Sequence, residues 1–561
     1  MSHTYEYVAT RGRLESRRES FRISPFGILI ATLEPGIAAW NDDEKTGMNG
    51  AESLVRTLVG GGVDTCFSNP GTSEIHIVAA LDRIPEMRCV LGLFEGVVTG
   101  AADGYARMAG KPACTLLHLG PGLGNGLANL HNARRAEVPI INLVGQHPAD
   151  HLPYDTPLTS NIEALAKYCS QWTRTSASAL TLSEDAAAAI VAASTAPGQI
   201  ATLIVPADAA WGEGAKLALA AAPPEAPLPG DAAIEHAASM LRSGLRTAIL
   251  LNGNALYGNG LTTAGRIANA TGAKLLAPYP LTRLERGAGM PTVDRIAYVL
   301  EQAVEQLKEF RQLIVVGARP PVAYFASPGK SAVLTSPGCE IHTLAKAGED
   351  YAGALDALEK TLGPSSLWQP ANKTERPALL SGEITLPGLA TVVGAFLPEN
   401  SIVVDESMTS GRGMMAATKA APLHDWLGNT GGSIGIALPL AVGAAVACPA
   451  RRVLCLSADG SGMYTLQALW TMARESLKVT IVVFANRDYA VLKREFSYLG
   501  IGSPGARARD MFEIGRPDLD WIQLAKGMGV PGTRVTMLED FGKALRAGFE
   551  SGGPTLIEVP L

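Results

Sequence analysis

Between Val453 and Leu492 the chain reads VLCLSADGSGMYTLQALWTMARESLKVTIVVFANRDYAVL. An apolar run, Val453 to Leu456, leads into the polar turn Asp459-Gly460-Ser461. A helix-patterned stretch follows, and a second apolar run, Val479 to Phe484, ends at Asn486. Asp459 and Asn486 lie 27 positions apart, room for one strand–helix–strand crossover. In a parallel sheet both polar ends then emerge at the same carboxyl edge. A carboxylate and an amide oxygen placed there are hard donors, suited to a Mg2+ ion that holds a diphosphate. Gly460 lets the backbone approach the phosphates, and Ser461 adds a hydroxyl. An ordinary doubly wound unit with a polar turn has the same outline, so the reading needs support from elsewhere in the chain.

At 561 residues the chain is too long for one core, and roughly three domains are expected. A hydrophobic content of 47% with 18% charged residues describes a well-buried globular protein, and the dispersed Gly and Pro suggest short connections in an α/β fold. The net charge of −6 gives no reason to expect nucleic acid. Seven cysteines without a C-x-x-C pair argue against structural zinc or a disulfide framework and fit a cytoplasmic protein. No apolar stretch is long enough to span a bilayer.

The expected fold is three α/β domains with doubly wound parallel sheets. Residues 1–47, where Arg11, Arg13, Arg17, Arg18 and Arg22 alternate with Glu15 and Glu19, are expected to be a poorly ordered extension. Met48-Asn49-Gly50 starts the fold. Helix and strand patterns alternate through 48–220; a proline-rich linker, Ala221 to Gly230, precedes a central α/β segment over 228–363. After a second linker, about Pro364 to Thr385, a last unit covers 386–561.

In the first unit a strand-like run breaks at Asn69-Pro70-Gly71, inside FSNPGTSE. The run LGLF passes directly into Glu95 and a small-residue helix, where apolar neighbours would raise the carboxyl's pKa. A Glu at a helix start is also a common dipole partner. His118 follows a strand and precedes the glycine-rich LGPGLGNG; a lone His there is more often structural.

The combination is informative. FSNPGTSE, FEGVVTGAADGYAR, LHLGPGLGNGLANLHNARRAEVPIINLVGQ and the Asp459–Asn486 segment stand in this order in one chain. Together they resemble the thiamine-diphosphate-dependent decarboxylase and acetolactate synthase superfamily over about Met48 to Leu561. The metal motif departs from the family pattern at Ala458 and Ala485. The lines around Glu95 and His118 look most like benzoylformate decarboxylase, whereas GPG at 120–122 and the general layout look like acetolactate synthase large subunits.

The resemblance implies an N-terminal pyrimidine-binding domain, a central domain and a C-terminal diphosphate-binding domain. It gives Glu95 the proton at N1′ of the aminopyrimidine, with Asn69, Pro70 and Gly71 beside it, and it places His118 over the reactive carbon. Thr72 matches a substrate-contacting Ser. Asp459, Asn486 and the backbone carbonyl of Asp488 would hold Mg2+, with Gly460, Ser461 and Tyr489 around the diphosphate. Gly432 would offer its carbonyl to the pyrimidine, Ile434 would be the wedge that bends the cofactor, and Asp405-Glu406-Ser407-Met408-Thr409 would pack near the pyrimidine. Val491 and Leu492 would line the substrate pocket. The decarboxylase's second active-site His falls near Phe325.

Three central stretches, LLNGNALYGNG, RLERGAGM and GARPP, stand where acetolactate synthases bind FAD but do not reproduce that pattern, which leaves FAD open. The implied activity is decarboxylation of a 2-oxo acid with transfer of the active aldehyde to an acceptor carbonyl. The alternatives are simple release, as in benzoylformate decarboxylase, and a non-catalytic regulatory paralogue. A nicotinamide dehydrogenase lacks its G-x-G-x-x-G opening. Since Glu95 and Asp459 lie in different units, the resemblance implies a homodimer or homotetramer with active sites between subunits.

Overall fold

The computed structural model describes residues 48–363 and 375–561; the extension expected over 1–47 and residues 364–374 of the second linker lie outside the described residues. The first sheet holds β1 (Thr65–Asn69), β2 (Arg88–Leu91), β3 (Ala113–Leu117), β4 (Ile140–Gln146), β5 (Trp172–Thr175) and β6 (Ile200–Pro206). Their order is β2-β1-β3-β4-β6-β5, and every pairing is parallel. β4 and β6 are buried along their whole length, which is why they read as continuous apolar runs. β5 was not expected: WTRT lies at the sheet edge, half exposed, and lacks such a run.

The central sheet holds β7 (Thr247–Leu251), β8 (Lys274–Ala277), β10 (Asp294–Arg295), β11 (Gln312–Val316) and β12 (Glu340–Ala345), in the order β10-β8-β7-β11-β12. The intervening β9 (Leu284–Arg286) leaves this segment. It pairs antiparallel with β14 (His424–Gly428) and so extends the last sheet. Three residues are too few to show a period, and RLERGAGM gave no strand signal.

The last sheet also holds β13 (Ser401–Glu406), β15 (Val453–Ala458), β16 (Val479–Ala485), β17 (Gly532–Arg534) and β18 (Thr555–Pro560), in the order β17-β18-β16-β15-β13-β14-β9. It is parallel but for β9. The fold is therefore the expected α/β architecture of three parallel-dominated sheets.

Two helices join the first and last units. Glu95–Ala109 crosses Ala437–Ala447, and glycines set the separation: a Cβ at Gly104 would stand 2.1 Å from the Leu440 carbonyl oxygen, and one at Gly443 would stand 1.9 Å from that of Ala101. Close by, the buried Arg107 pairs with Asp103 at 2.7 Å and donates to the carbonyl of Gly428 at 2.7 Å. An ion pair sealed from water this way is sensitive to loss of either partner. Here it ties the first unit to the start of the loop that follows β14.

Candidate active site

Two clusters of the expected residues form at carboxyl ends of strands. In the first unit β1 ends at Asn69, and the chain turns through Pro70 and Gly71 into a short 3-10 helix, Thr72–Glu74. Glu74 is fully buried; its Oε2 accepts the backbone N–H of Gly71 at 2.8 Å and lies 2.8 Å from Nδ1 of His118. Gly71 has to be glycine, since a Cβ would stand 2.2 Å from that imidazole nitrogen. The unmet Oε1 of Glu74 faces Gly145, where a Cβ would lie 1.7 Å away. His118, partly exposed, therefore has one ring nitrogen fixed by a buried carboxylate and the other free to face a ligand.

Glu95 is the first residue of its helix, 8% exposed, and its Oε2 accepts the side-chain N–H of Asn125 at 3.0 Å. Gly122 brings Glu95 and His118 together: a Cβ there would lie 3.2 Å from Glu95 Oε1 and 3.5 Å from His118 Cβ. The glycine-rich stretch after His118 forms the first turns of the helix Leu119–Ala136.

In the last unit Asp459 directly follows β15 and Asn486 directly follows β16; the two strands pair in register to Ala458 and Phe484. Asp459 is 2% exposed; its Oδ1 accepts Gly460 N–H at 2.9 Å and its Oδ2 accepts Arg487 N–H at 2.7 Å. Burial pushes its carboxyl above the ordinary value, against the pull of those two donors. Asn486 Oδ1 accepts Asp488 N–H at 3.0 Å. Asp488 pairs with Lys493 through one oxygen, and its other oxygen is buried and unpartnered. Gly460 is needed for packing: its Cβ would meet the Tyr489 ring at 2.6 Å.

Beside this turn a cavity of about 730 Å³ is lined by Asn486, Arg487, Asp488, Lys493 and Arg509, and also by Asp510, Glu513 and Arg516, where Arg516 pairs with both carboxylates at 2.6 Å. The helix Ala490–Tyr498, carrying Val491 and Leu492, has no fully buried residue and forms an open wall next to it. A buried carboxyl with raised pKa, an amide oxygen and an orphaned carboxylate oxygen are what a divalent cation would satisfy. Lys493 and Arg516 are already paired with carboxylates of the same cavity. The residues at the turn fit the metal ion.

Gly432 and Ile434 sit in the loop between β14 and the helix Ala437–Ala447; Gly432 is exposed and left-handed at φ +81°. Tyr324, which was not singled out from sequence, places its hydroxyl 2.0 Å from where a Gly432 Cβ would be, so the neighbouring Phe325 lies close to this loop. Three non-glycine residues with positive φ flank candidates: Leu119 (52°) after His118, Met408 (50°) itself, and Arg487 (58°) between Asn486 and Asp488. Strain of this kind gathers where function over-determines the backbone.

Asn132 holds the Gly432 loop through both N–H and carbonyl of Ser433, and Asn132 is 14 positions beyond His118. At 1.5 Å per residue the loop and His118 stand roughly 20 Å apart along that helix. Glu74 and Asn125 are functional candidates that sequence reading missed, and Glu406, expected near the pyrimidine, holds the same loop. Their partners lie on other elements, and only the fold reveals them.

Residues 48–168 match the model of the thiamine pyrophosphate enzyme N-terminal TPP binding domain, and residues 410–559 match that of the C-terminal TPP binding domain. A Mycobacterium tuberculosis protein named "Putative acetolactate synthase large subunit IlvX" is 53% identical over 513 residues, covering 91% of this chain and 99% of that protein. The chain belongs to the thiamine pyrophosphate enzyme family. Benzoylformate decarboxylase of Pseudomonas aeruginosa is 29% identical over 522 residues, covering 89% of this chain and 96% of that enzyme. Among solved structures, the Rhodococcus jostii RHA1 thiamine diphosphate-dependent 4-hydroxybenzoylformate decarboxylase matches with a TM-score of 0.81 at 24% identity. That match covers 91% of this chain and 99% of the other. No helix among the described residues is long and apolar enough to cross a membrane.

Proposed function

We propose that the protein is a thiamine-diphosphate- and Mg2+-dependent enzyme that decarboxylates a 2-oxo acid and transfers the resulting aldehyde unit to an acceptor carbonyl, in the manner of acetolactate synthases. The carrying observation is the buried Asp459 carboxyl beside Asn486 at one sheet edge, in a chain 53% identical to a protein named for that activity. Asp459, Asn486 and the Asp488 carbonyl would hold the metal, with Gly460, Ser461 and Tyr489 around the diphosphate. When bound, thiamine diphosphate supplies the electron sink for the pair left by departing carbon dioxide. Glu95, steadied by Asn125, holds a proton at N1′ of the pyrimidine. Gly432 and Ile434 would support the cofactor. His118, oriented by Glu74, moves a proton near the reacting carbon, and Thr72 contacts substrate.

The roughly 20 Å between His118 and the Gly432 loop in one chain supports an active site assembled from two copies, and so a homodimer or homotetramer. The proposal includes no flavin. The arginines of RLERGAGM are committed to protein: Arg283 pairs with Asp425 and stacks over Tyr257, and Arg286 donates to Thr418 and to the Met415 carbonyl.

A second reading, release of the aldehyde as in benzoylformate decarboxylase, is favoured by the built Glu74–His118 pair, which offers a proton donor for that step. Purified protein with thiamine diphosphate and Mg2+ should convert members of a 2-oxo acid panel. Mass spectrometry of products, with and without a second oxo acid, separates transfer from release. Absence of saturable Mg2+-dependent cofactor binding would sink both and favour a non-catalytic paralogue.

A further inference from the structure

A second cavity, of about 450 Å³, lies between the central segment and the last unit and shares no lining residue with the one beside Asn486. β9, β10 and the chain around them line one side, and residues around the short helix Met414–Ala417 line the other. Three cations face it: Arg286 on β9, Arg295 on β10, and Lys419. Among the described residues its lining holds one acid, Asp294.

Arg286 is 9% exposed; it donates to the Thr418 hydroxyl at 2.7 Å and to the Met415 carbonyl at 2.6 Å, and it lies 5.3 Å from the centre of the Trp426 ring. All three partners are uncharged. The guanidinium is thus withdrawn from water without a paired carboxylate, unlike the buried Arg107, which Asp103 matches at 2.7 Å. A buried charge left in that state is costly. Burial, with Arg295 beside it, pulls the Arg286 guanidinium down to about 10, against the pull of Asp294. Among the described residues neither Arg295 nor Lys419 forms an ion pair. The cavity therefore carries an excess of positive charge in a chain whose net charge is −6.

The remaining wall is aromatic and apolar. The rings of Tyr279 and Tyr298 stand 5.0 Å apart, and the Arg295 guanidinium lies 4.9 Å from the centre of the Tyr279 ring. Leu284 and Ile296, both buried, add apolar surface. The volume falls in the range of about 300–1,000 Å³ typical of small-ligand pockets.

We propose that this cavity is a binding site, separate from the cofactor's, for a small aromatic carboxylate: its carboxylate meets Arg295 and Lys419 in the field of Arg286, and its ring packs beside Tyr279 and Tyr298. A carboxylate supplies the absent negative charge and two coplanar acceptor oxygens, which match a guanidinium. A flat ring offers the tyrosines an offset or edge-on partner.

Calorimetric titration of the full chain with benzoate, at saturating thiamine diphosphate and Mg2+, tests it. Benzoate should bind saturably, one per chain. Arg295→Gln and Lys419→Gln, at a half-buried and an exposed position, should melt as wild type and each weaken that binding about tenfold or more, as loss of a charge-assisted hydrogen bond does. Benzamide has the ring without the charge and acetate the charge without the ring; each should bind at least tenfold more weakly than benzoate. Absence of saturable benzoate binding, or wild-type affinity in both variants, overturns the proposal. Benzamide or acetate binding as tightly as benzoate overturns it too. Neither substituted residue belongs to the metal turn or to the Gly432 loop, so loss of this site leaves the proposed function standing, and failure of cofactor-dependent turnover leaves this site standing.

Discussion

Gly443→Ala tests how tightly the two binding units are coupled. A methyl at 443 would stand 1.9 Å from the Ala101 carbonyl oxygen and 2.5 Å from the Tyr105 amide nitrogen, both main-chain atoms of the helix Glu95–Ala109. Neither can rotate aside. Going from 1.9 Å to the 3.4 Å of an ordinary contact, the helices must part by roughly 1.5 Å. Overpacking a core costs about 1–3 kcal/mol, and main-chain atoms at the contact put this site at the upper end. One helix begins at Glu95 and the other follows the Gly432–Ile434 loop, so parting them displaces both candidate elements. A misplacement of about 1 Å can cost about a hundredfold in rate. We expect a melting midpoint several degrees below wild type and turnover lower by about two orders of magnitude. Gly60→Ala, at a helix end with open space around it, serves as the control and should be silent. Wild-type melting and turnover in Gly443→Ala would refute the reasoning, because the chain would then have slack where the geometry allows none.

Glu95→Gln should leave melting unchanged and reduce cofactor-dependent turnover at least a hundredfold, as loss of a positioned acid does; steady-state kinetics at saturating cofactor checks it. Glu74→Gln should fold and bind cofactor, with kcat down roughly tenfold or more, since a hydrogen bond to a charged group contributes about 1.5–3 kcal/mol. His424, 1% exposed, is pushed by burial down to about 4. Below its ordinary 6.5 the unfolded chain takes up a proton that the folded chain refuses, so its contribution to stability falls as pH drops through that window. Over about 2.5 units this amounts to about 3 kcal/mol. Glu406 acts in the opposite sense between its ordinary 4.5 and about 7, where the folded state keeps the proton. Urea unfolding of wild type and His424→Phe at pH 7 and pH 4.5 isolates the histidine: the wild-type advantage should shrink at the lower pH. An unchanged difference would rule this out.

Long buried strands were legible because a parallel sheet covered on both faces leaves runs rich in apolar residues with few polar breaks, as in Ile140–Gln146 and Val479–Ala485. Their polar terminators were legible for the same reason: Asp459 and Asn486 interrupt apolar sequence, and the crossover spacing puts them on one edge. β5 and β9 were not, because one is a half-exposed edge and the other is three residues borrowed by a distant sheet. Glu74 lay within a quoted motif, yet its partner His118 is 44 positions away on another strand end. Periodicity carries no information about such a pairing.

The same limit explains why Glu406 was expected only near the pyrimidine, while its hold on the Gly432–Ile434 loop was not legible. The loop's sequence announces itself through glycines, whose positive φ at 432 and 435 no ordinary residue would adopt freely. What fixes a glycine-rich loop, however, has to come from outside it, since glycines offer no side chains to hold one another. Here the holding groups are a carboxylate on β13, a neighbouring amide at Asn429, and Asn132 on a helix of the first unit. A loop clamped from two units reports on both. Glu406 and Asn132 are thus the places where the sheet of one unit and the helix of the other agree on a single backbone shape.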